Sequence, residues 1–235
     1  MRRLMMMVPM ALLGIVFGLS GQQPAQEPAK QAKARPPRPE ALFFQENWTA
    51  KTNEHVPVSQ ASLGNPNLEL KLYGSGKDMD TVAENGGPLH VWTGNCFTPC
   101  GLTFREKNNY VDLTGLSKIR WTVKVSGFHK VQPILKLADG SYLIGDEKDG
   151  STVDFQDLEF WIKDVRWLKL DAEHLAPKGE FLPNPDLSRV DEVGFVDLMV
   201  GAGHGPGAYI DVGKVEVYGK PVKRNTTGTS GSAGR

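Results

Sequence analysis

The sequence predicts an all-β fold, an antiparallel sandwich or barrel. Three observations carry this. Apolar residues recur with a period of two over many short runs. Dense turn signals separate the runs at intervals suited to short strands. The 26 glycines and 16 prolines in 235 residues also suit many turns better than long helices.

In chain order, residues 68–72 (LELKL) alternate cleanly. In 88–92 (PLHVW), Leu89 and Val91 take the apolar parity and leave His90 and Trp92 opposite. Residues 102–104 alternate again. Residues 117–125 (SKIRWTVKV) put Ile119, Trp121, Val123 and Val125 on one face, so Trp121 belongs to the core, and Arg120, Thr122 and Lys124 on the other. Further strands are expected at 132–137, 141–145 and 158–162, where Trp161 falls with Glu159 and Lys163. At 166–170 Trp167 falls with Lys169, and residues 171–176 suit one helical turn. The last strands are expected at 192–198 and 209–218. In 209–218, Ile210 and Val212 share one parity and Val215 and Val217 the other, so a β-bulge at Gly213 would return all four to the core. Turns are signalled by Asn65-Pro66-Asn67, Asn85-Gly86-Gly87-Pro88, Asp139-Gly140, Asp149-Gly150 and Asn184-Pro185.

The ends read differently. Arg2 and Arg3 precede an apolar run, and small residues follow at Gly18, Ser20 and Gly21, so residues 1–21 have the layout of a signal peptide. Retention as a membrane anchor is the alternative, but the run is short for a span of ~20 residues. Residues 22–40 hold five prolines and no large apolar side chain, the composition of a disordered tether. Residues 41–222 form the expected domain, and 223–235 a Thr/Ser/Gly-rich disordered tail. The expected location is secreted or periplasmic, without membrane insertion once the signal is cleaved, and as a monomer. With 27 basic against 27 acidic side chains the formal charge is zero, which argues against nucleic acid or anionic lipid as a bulk electrostatic partner.

Cys96 and Cys100 are separated by three residues. In an exported chain such a pair reads as a disulfide. Free thiols or a zinc site are the alternatives; zinc would need two more ligands, of which His90 is the only nearby one.

The order of elements carries a resemblance. A strand with an Asp-Gly turn (133–140, PILKLADG) leads to a Trp-Leu strand (165–170, VRWLKL). Then come 186–195 (DLSRVDEVGF) and 209–218 (YIDVGKVEVY). This arrangement, over about residues 100–220, resembles the galactose-binding-like jelly roll. It is similar to several families of non-catalytic carbohydrate-binding modules and to the complex I intermediate-associated protein 30 family. The resemblance implies an antiparallel β-sandwich of jelly-roll type and a glycan or polysaccharide partner. It also implies that Trp167 packs, and it raises a structural calcium near the chain ends, for which Glu46 and Asp211 are the counterparts. One fold hosts many ligands, so it does not name the glycan.

No hydrolase elbow, zinc-protease, phosphate-loop or dinucleotide motif is present. Asp191-Glu192 adjoins a strand and reads as a solvated edge. Residues 201–207 (GAGHGPG) form an unusual glycine-rich loop. It reads as a mobile connection, as a binding loop offering His204 to a ligand, or as the seat of a catalytic His204. Trp92, Trp161 and Trp167 lie off the main core parity. Indoles so placed can stack on the C–H faces of sugars while polar neighbours bind hydroxyls, or they can cap a second small core. The expected ligand-binding residues are therefore Trp92, Trp161, His90, Arg105, Asp197 and His204, with no catalytic residue assigned. The leading expectation is an exported, non-catalytic carbohydrate-binding protein. The alternatives are a β-sandwich glycan lyase or hydrolase built on His204, Asp197 and Arg105, and an envelope protein-interaction module.

Overall fold

The computed structural model describes residues 38–49, 54–83, 87–199 and 208–224. Within them the strands pair into two sheets, and the strand pairs are antiparallel. The first sheet holds β1 (Leu42–Glu46), β2 (Val56–Pro57), β4 (Asp80–Val82), β5 (His90–Trp92), β8 (Lys118–Val125), β11 (Gln156–Trp161) and β15 (Ile210–Tyr218). Its order is β11-β8-β15-β5-β4-β2, with β1 also beside β15. The second holds β3 (Leu68–Gly74), β6 (Cys100–Glu106), β7 (Asn109–Asp112), β9 (Val131–Leu137) and β10 (Tyr142–Gly145). It also holds β12 (Trp167–Asp171), β13 (Ala176–Leu182), β14 (Val190–Asp197) and β16 (Lys220–Lys223). It runs β13-β12-β10-β9-β14-β6-β3, and β7 joins β14 to β16. The fold is an antiparallel β-sandwich, as the sequence predicts. The helical content among the described residues is three short 3₁₀ turns.

The core fills the space between the sheets. Ile119, Trp121, Val123 and Val125 of β8 are all buried, facing Leu102, Phe104, Leu135, Val193 and Phe195 from the second sheet. The Trp121 indole N–H donates to Asp149 Oδ2 at 2.7 Å, which satisfies its polar atom at the edge of the core. The register of β15 shifts between Val212, opposite Val123, and Val215, opposite Trp121. This is the bulge expected at Gly213, and it keeps Ile210, Val212, Val215 and Val217 buried. Trp48 Nε1 donates to the Val212 carbonyl at 2.9 Å, so the buried indole takes up an acceptor at the bulge.

Gly194 on β14 shows why a glycine sits mid-strand: a Cβ there would overlap the Leu102 carbonyl of β6. Cys96 and Cys100 form a disulfide that pins the loop between β5 and β6.

Several sequence expectations change. Trp167 is 2% exposed and belongs to the core, against its alternation with Lys169. The alternation itself is intact: Trp167 and Lys169 lie opposite Gly145 and Leu143 on the inner face, while Leu168 and Leu170 turn to a second apolar cluster on the outer face. The Trp167 side is therefore the core side, and the packing implied by the resemblance holds. Residues 171–176 form the turn of the β12–β13 hairpin, not a helical turn. Strands β1, β4, β7, β13 and β16 had no alternation to announce them; β13 (APKGEFL) is exposed along most of its length and pairs along one edge with β12.

The Asp191-Glu192 pair is not a solvated edge. Glu192 is 1% exposed, on the outer face of the second sheet. On the same face Ile134, Ile144, Leu170, Leu175 and Val196 form a second apolar cluster, with Tyr73, Tyr142, Leu168 and Leu198 packed against it. Leu175, in the hairpin turn, has φ of 48° and is 2% exposed. A Cβ on Gly74 would lie 2.8 Å from Leu175 Cδ1, so the hairpin tip reaches from β12 at one side of the sheet to the end of β3 at the other.

Candidate functional site

Trp92 is paired with Asp211 of β15 and with Asp80 of β4, so these three side chains share the outer face of the first sheet. The His55 ring stands edge-on to the half-buried Trp92 at 4.7 Å between centroids, and Tyr209 lies 6.4 Å away. The backbone at Gly94 packs against the indole so closely that a Cβ there would overlap it. The polar rim is ordered: Asn95 Nδ2 donates to Asp80 Oδ2 at 3.0 Å, and His55 Nδ1 lies 3.3 Å from the same oxygen. Lys124 Nζ sits 5.6 Å from the Tyr209 ring centroid. His90 lies beneath this surface, 4% exposed, with Nδ1 2.8 Å from the Pro88 carbonyl and Nε2 3.4 Å from Asp211 Oδ1. The structure thus brings Trp92, His90 and Asp211 together and adds Tyr209 and His55. Tyr209 was legible in principle, since it shares the parity of Asp211; His55 lies before β2, where no pattern points to it.

Trp161 stands elsewhere on that face. It pairs with Lys118, whereas Asp211 pairs with Lys124 at the other end of β8, roughly 20 Å along the strand. Lys118 Nζ lies 5.4 Å from the Trp161 ring and 4.9 Å from Tyr218, and donates to Glu159 at 2.8 Å. Trp161 and Tyr218 therefore flank a cation of their own chain.

The carboxylates proposed for calcium are not brought together. Glu46 pairs with Val215 and follows the inner-face parity, while Asp211 is on the outer face. Glu46 Oε1 accepts the N–H groups of Trp48 at 2.6 Å and Gly64 at 2.7 Å, and Oε2 that of Asn65 at 3.1 Å. A carboxylate surrounded by three donors is arranged to organise backbone, not to coordinate a hard cation that needs six to eight oxygens. The two residues do not fit calcium. Among the described residues no group of three or more His, Cys, Asp or Glu side chains could hold a metal ion.

Asp197 closes one end of the sandwich. It is 3% exposed, and its Oδ2 lies 2.5 Å from His129 Nδ1. Its Oδ1 accepts the Met199 N–H at 3.0 Å, and Thr93 Oγ1, in the loop just after β5, lies 3.5 Å from Oδ2. Asp197 also borders a cleft with Phe128, Lys130, Gln132, Lys148, Leu198 and Met199. His204 and the loop 201–207 lie outside the described residues.

Arg105 is on the outer face of the second sheet, where Nε donates to Asp191 at 3.1 Å and an Nη to Glu69 at 2.7 Å. Arg224 also pairs with Asp191. Burial pushes the Asp191 carboxyl up, but Arg224 and Arg105 outweigh it and hold the group below its ordinary value. Next to it, Glu192 accepts from Thr103 at 2.6 Å, Tyr73 at 2.7 Å and Lys136 at 2.9 Å, with Lys71 Nζ at 2.9 Å. Burial opposes ionisation here too, but these four donors bring its pKa down to about 2. Burial, with help from Tyr142 and Glu192, pushes the Tyr73 phenol up, and Glu192 raises Lys136 against the effect of burial. So fixed an ion cluster exchanges no proton near neutral pH; it organises the sheet. Arg105 and Asp197 are five residues apart in register along β6, about 16 Å, and do not meet.

Fold and site together define an antiparallel β-sandwich with an aromatic and polar outer surface. No family model matches the sequence, and no curated protein matches it. Among solved structures the chain is similar to the family 11 carbohydrate-binding module of the cellulosomal cellulase Lic26A-Cel5E of Clostridium thermocellum, at 12% identity over 74% of this chain and 99% of that one, with a TM-score of 0.40. It is also similar to TmCBM61 in complex with beta-1,4-galactotriose, at 9% identity over 64% of this chain and 88% of that one, TM-score 0.36. A third is the Emp47p carbohydrate recognition domain, at 10% identity over 76% and 97% of the two chains, TM-score 0.37.

Proposed function

We propose that this is an exported, non-catalytic glycan-binding protein, and that the surface built by Trp92, Tyr209 and His55 is its binding site. The observation that carries the reading is the grouping of three rings on one outer face, with Asp80, Asn95 and Lys124 at their margin. Sugars present apolar C–H faces to aromatic rings and hydroxyls to a few fixed polar groups, and this surface offers both. Export rests on the signal-like residues 1–21 and on the disulfide, which suits an oxidising compartment.

Calorimetric titration against a panel of neutral oligosaccharides tests it. Trp92→Ala should weaken the bound member by roughly 1–3 kcal/mol, the scale of a binding hot spot. Its melting temperature should fall less than that of Trp121→Ala, a core truncation worth about 3–5 kcal/mol. Silence across the panel, or equal destabilisation without loss of affinity, would return Trp92 to packing.

A further inference from the structure

We propose that the end of the sandwich carries a second saccharide site, a blind cleft that takes a carboxylate-bearing sugar at the end of an acidic glycan. It lies on the other sheet from the Trp92 surface and does not depend on it. The cleft has a volume of about 260 Å³. That is just under the ~300–1,000 Å³ of clefts that hold drug-sized ligands, so it suits a short ligand rather than a long segment.

Its walls are unusually apolar for solvent-facing loops: Phe128 is 85% exposed and Met199 37%. An exposed ring at the mouth of a cleft is a surface on which a sugar face can lie. Lys130 and Lys148 border the same space. Neither ammonium takes part in an ion pair among the described residues, whereas Lys71, Lys118 and Lys136 are each held by a carboxylate. The one carboxylate among the described lining residues, Asp197, is already engaged by His129 and the Met199 N–H. Gln132 is fixed by its Nε2 on the Gly145 carbonyl at 3.0 Å, which leaves its amide oxygen to accept from a ligand hydroxyl. Two available cations, one amide and one exposed ring suit a sugar acid better than a neutral sugar, because a carboxylate gains charge-assisted hydrogen bonds from both lysines.

The inner end decides which part of a glycan fits. Gln132 shares its face of the second sheet with Ile134 and Val196. Leu198 lines the cleft and also packs against the apolar cluster of Ile134, Ile144, Leu170, Leu175 and Val196. The hairpin tip at Leu175 fills the space over that cluster, so a polymer cannot run on along the sheet. The cleft is open at the loops, and the apolar cluster behind Leu198 obstructs it on the sheet side, an arrangement that suits a chain terminus.

The test is calorimetric titration of the full chain at low ionic strength with digalacturonic acid and with galactobiose, its neutral counterpart. Four proteins are compared: wild type, the double variant Lys130→Ala/Lys148→Ala, Phe128→Ala and Trp92→Ala. The acidic disaccharide should bind wild type, and at least tenfold more weakly the double variant; Phe128→Ala should also lose affinity. Trp92→Ala should bind it as wild type does, and galactobiose should not compete for it. Trigalacturonic and tetragalacturonic acid should bind no tighter than the dimer. Absence of binding by the acidic disaccharide, or binding indifferent to the lysines, overturns the inference. Loss in Trp92→Ala overturns it as well, by moving the acid to the aromatic surface. Steady tightening with chain length overturns the blind end. Failure of neutral glycans alone removes the reading of the Trp92 surface and leaves this cleft standing. Thermal melts of the double variant should match wild type, since both substitutions remove unpaired side chains.

Discussion

On the outer face of the first sheet, Glu159 and Asp157 meet Lys118 and Arg120 with their carboxylates 41% and 45% exposed. On the outer face of the second, Glu192 meets Lys71 and Lys136 with its carboxylate fully buried. The chemical pairs are the same, and the cross-strand geometry is of the same kind. Water distinguishes them. An exposed pair exchanges one set of good partners for another and contributes little. A buried carboxylate has no water to return to, so removing or protonating either side leaves the rest of the cluster uncompensated. The pairs that present charge to solvent are tolerant, and the carboxylate sealed under tyrosines is brittle.

The contrast can be broken at several points. Glu192→Ala should have the largest effect, about 3–5 kcal/mol in urea unfolding, because it strips the counter-charge from Lys136 and the acceptor from Tyr73 and Thr103. Acid should act on the same group more gently. Its carboxyl falls from 4.5 to about 2 on folding, so its contribution is fully present above pH ~4.5 and drains away as pH falls towards 2. That contribution is on the order of 3 kcal/mol. Urea midpoints measured between pH 5 and pH 2 should show the decline in wild type and a shallower one in Glu192→Gln; matching slopes would mean that other carboxylates govern acid unfolding. Glu159→Ala, on the first sheet, should cost less than about 1 kcal/mol, and that little should vanish in 1 M salt. A cost comparable to that of Glu192→Ala would erase the distinction between the faces.

How far the sequence could be read follows the same division. The strands that separate water from core announced themselves: β8 alternates without exception, and even the bulge in β15 was legible as a change of parity around Gly213. The cysteine pair was legible from its spacing, read with the signal-like residues 1–21. The Glu192 cluster was not, because its partners Lys71, Tyr73, Thr103 and Lys136 come from β3, β6 and β9, and nothing local ties them together. Parity alone set Trp167 off the core because β12 is apolar on both faces, with Leu168 and Leu170 facing the second cluster; only the resemblance pointed to its packing. Of the residues expected to bind ligand, Trp92 and His90 were brought together with Asp211, whereas Trp161, Arg105 and Asp197 were set at separate places by strand register. Register is a property of pairing, and pairing was not written in any one segment.

The bond from Trp48 to the Val212 carbonyl joins residues 164 apart in sequence. It is one of several ties converging on β15, which has β8 along one side and both β5 and β1 along the other. The strand central to the first sheet is therefore supplied by the chain after almost everything that must pair with it. Until residues 210–218 are available, β1, β5 and β8 lack their common neighbour and leave open backbone edges. Assembly of this sheet is a late, long-range event, of the kind that is slow and exposed to aggregation while it waits. The same strand that locks the finished sandwich sets the interval during which the nascent protein must be shielded from its own kind.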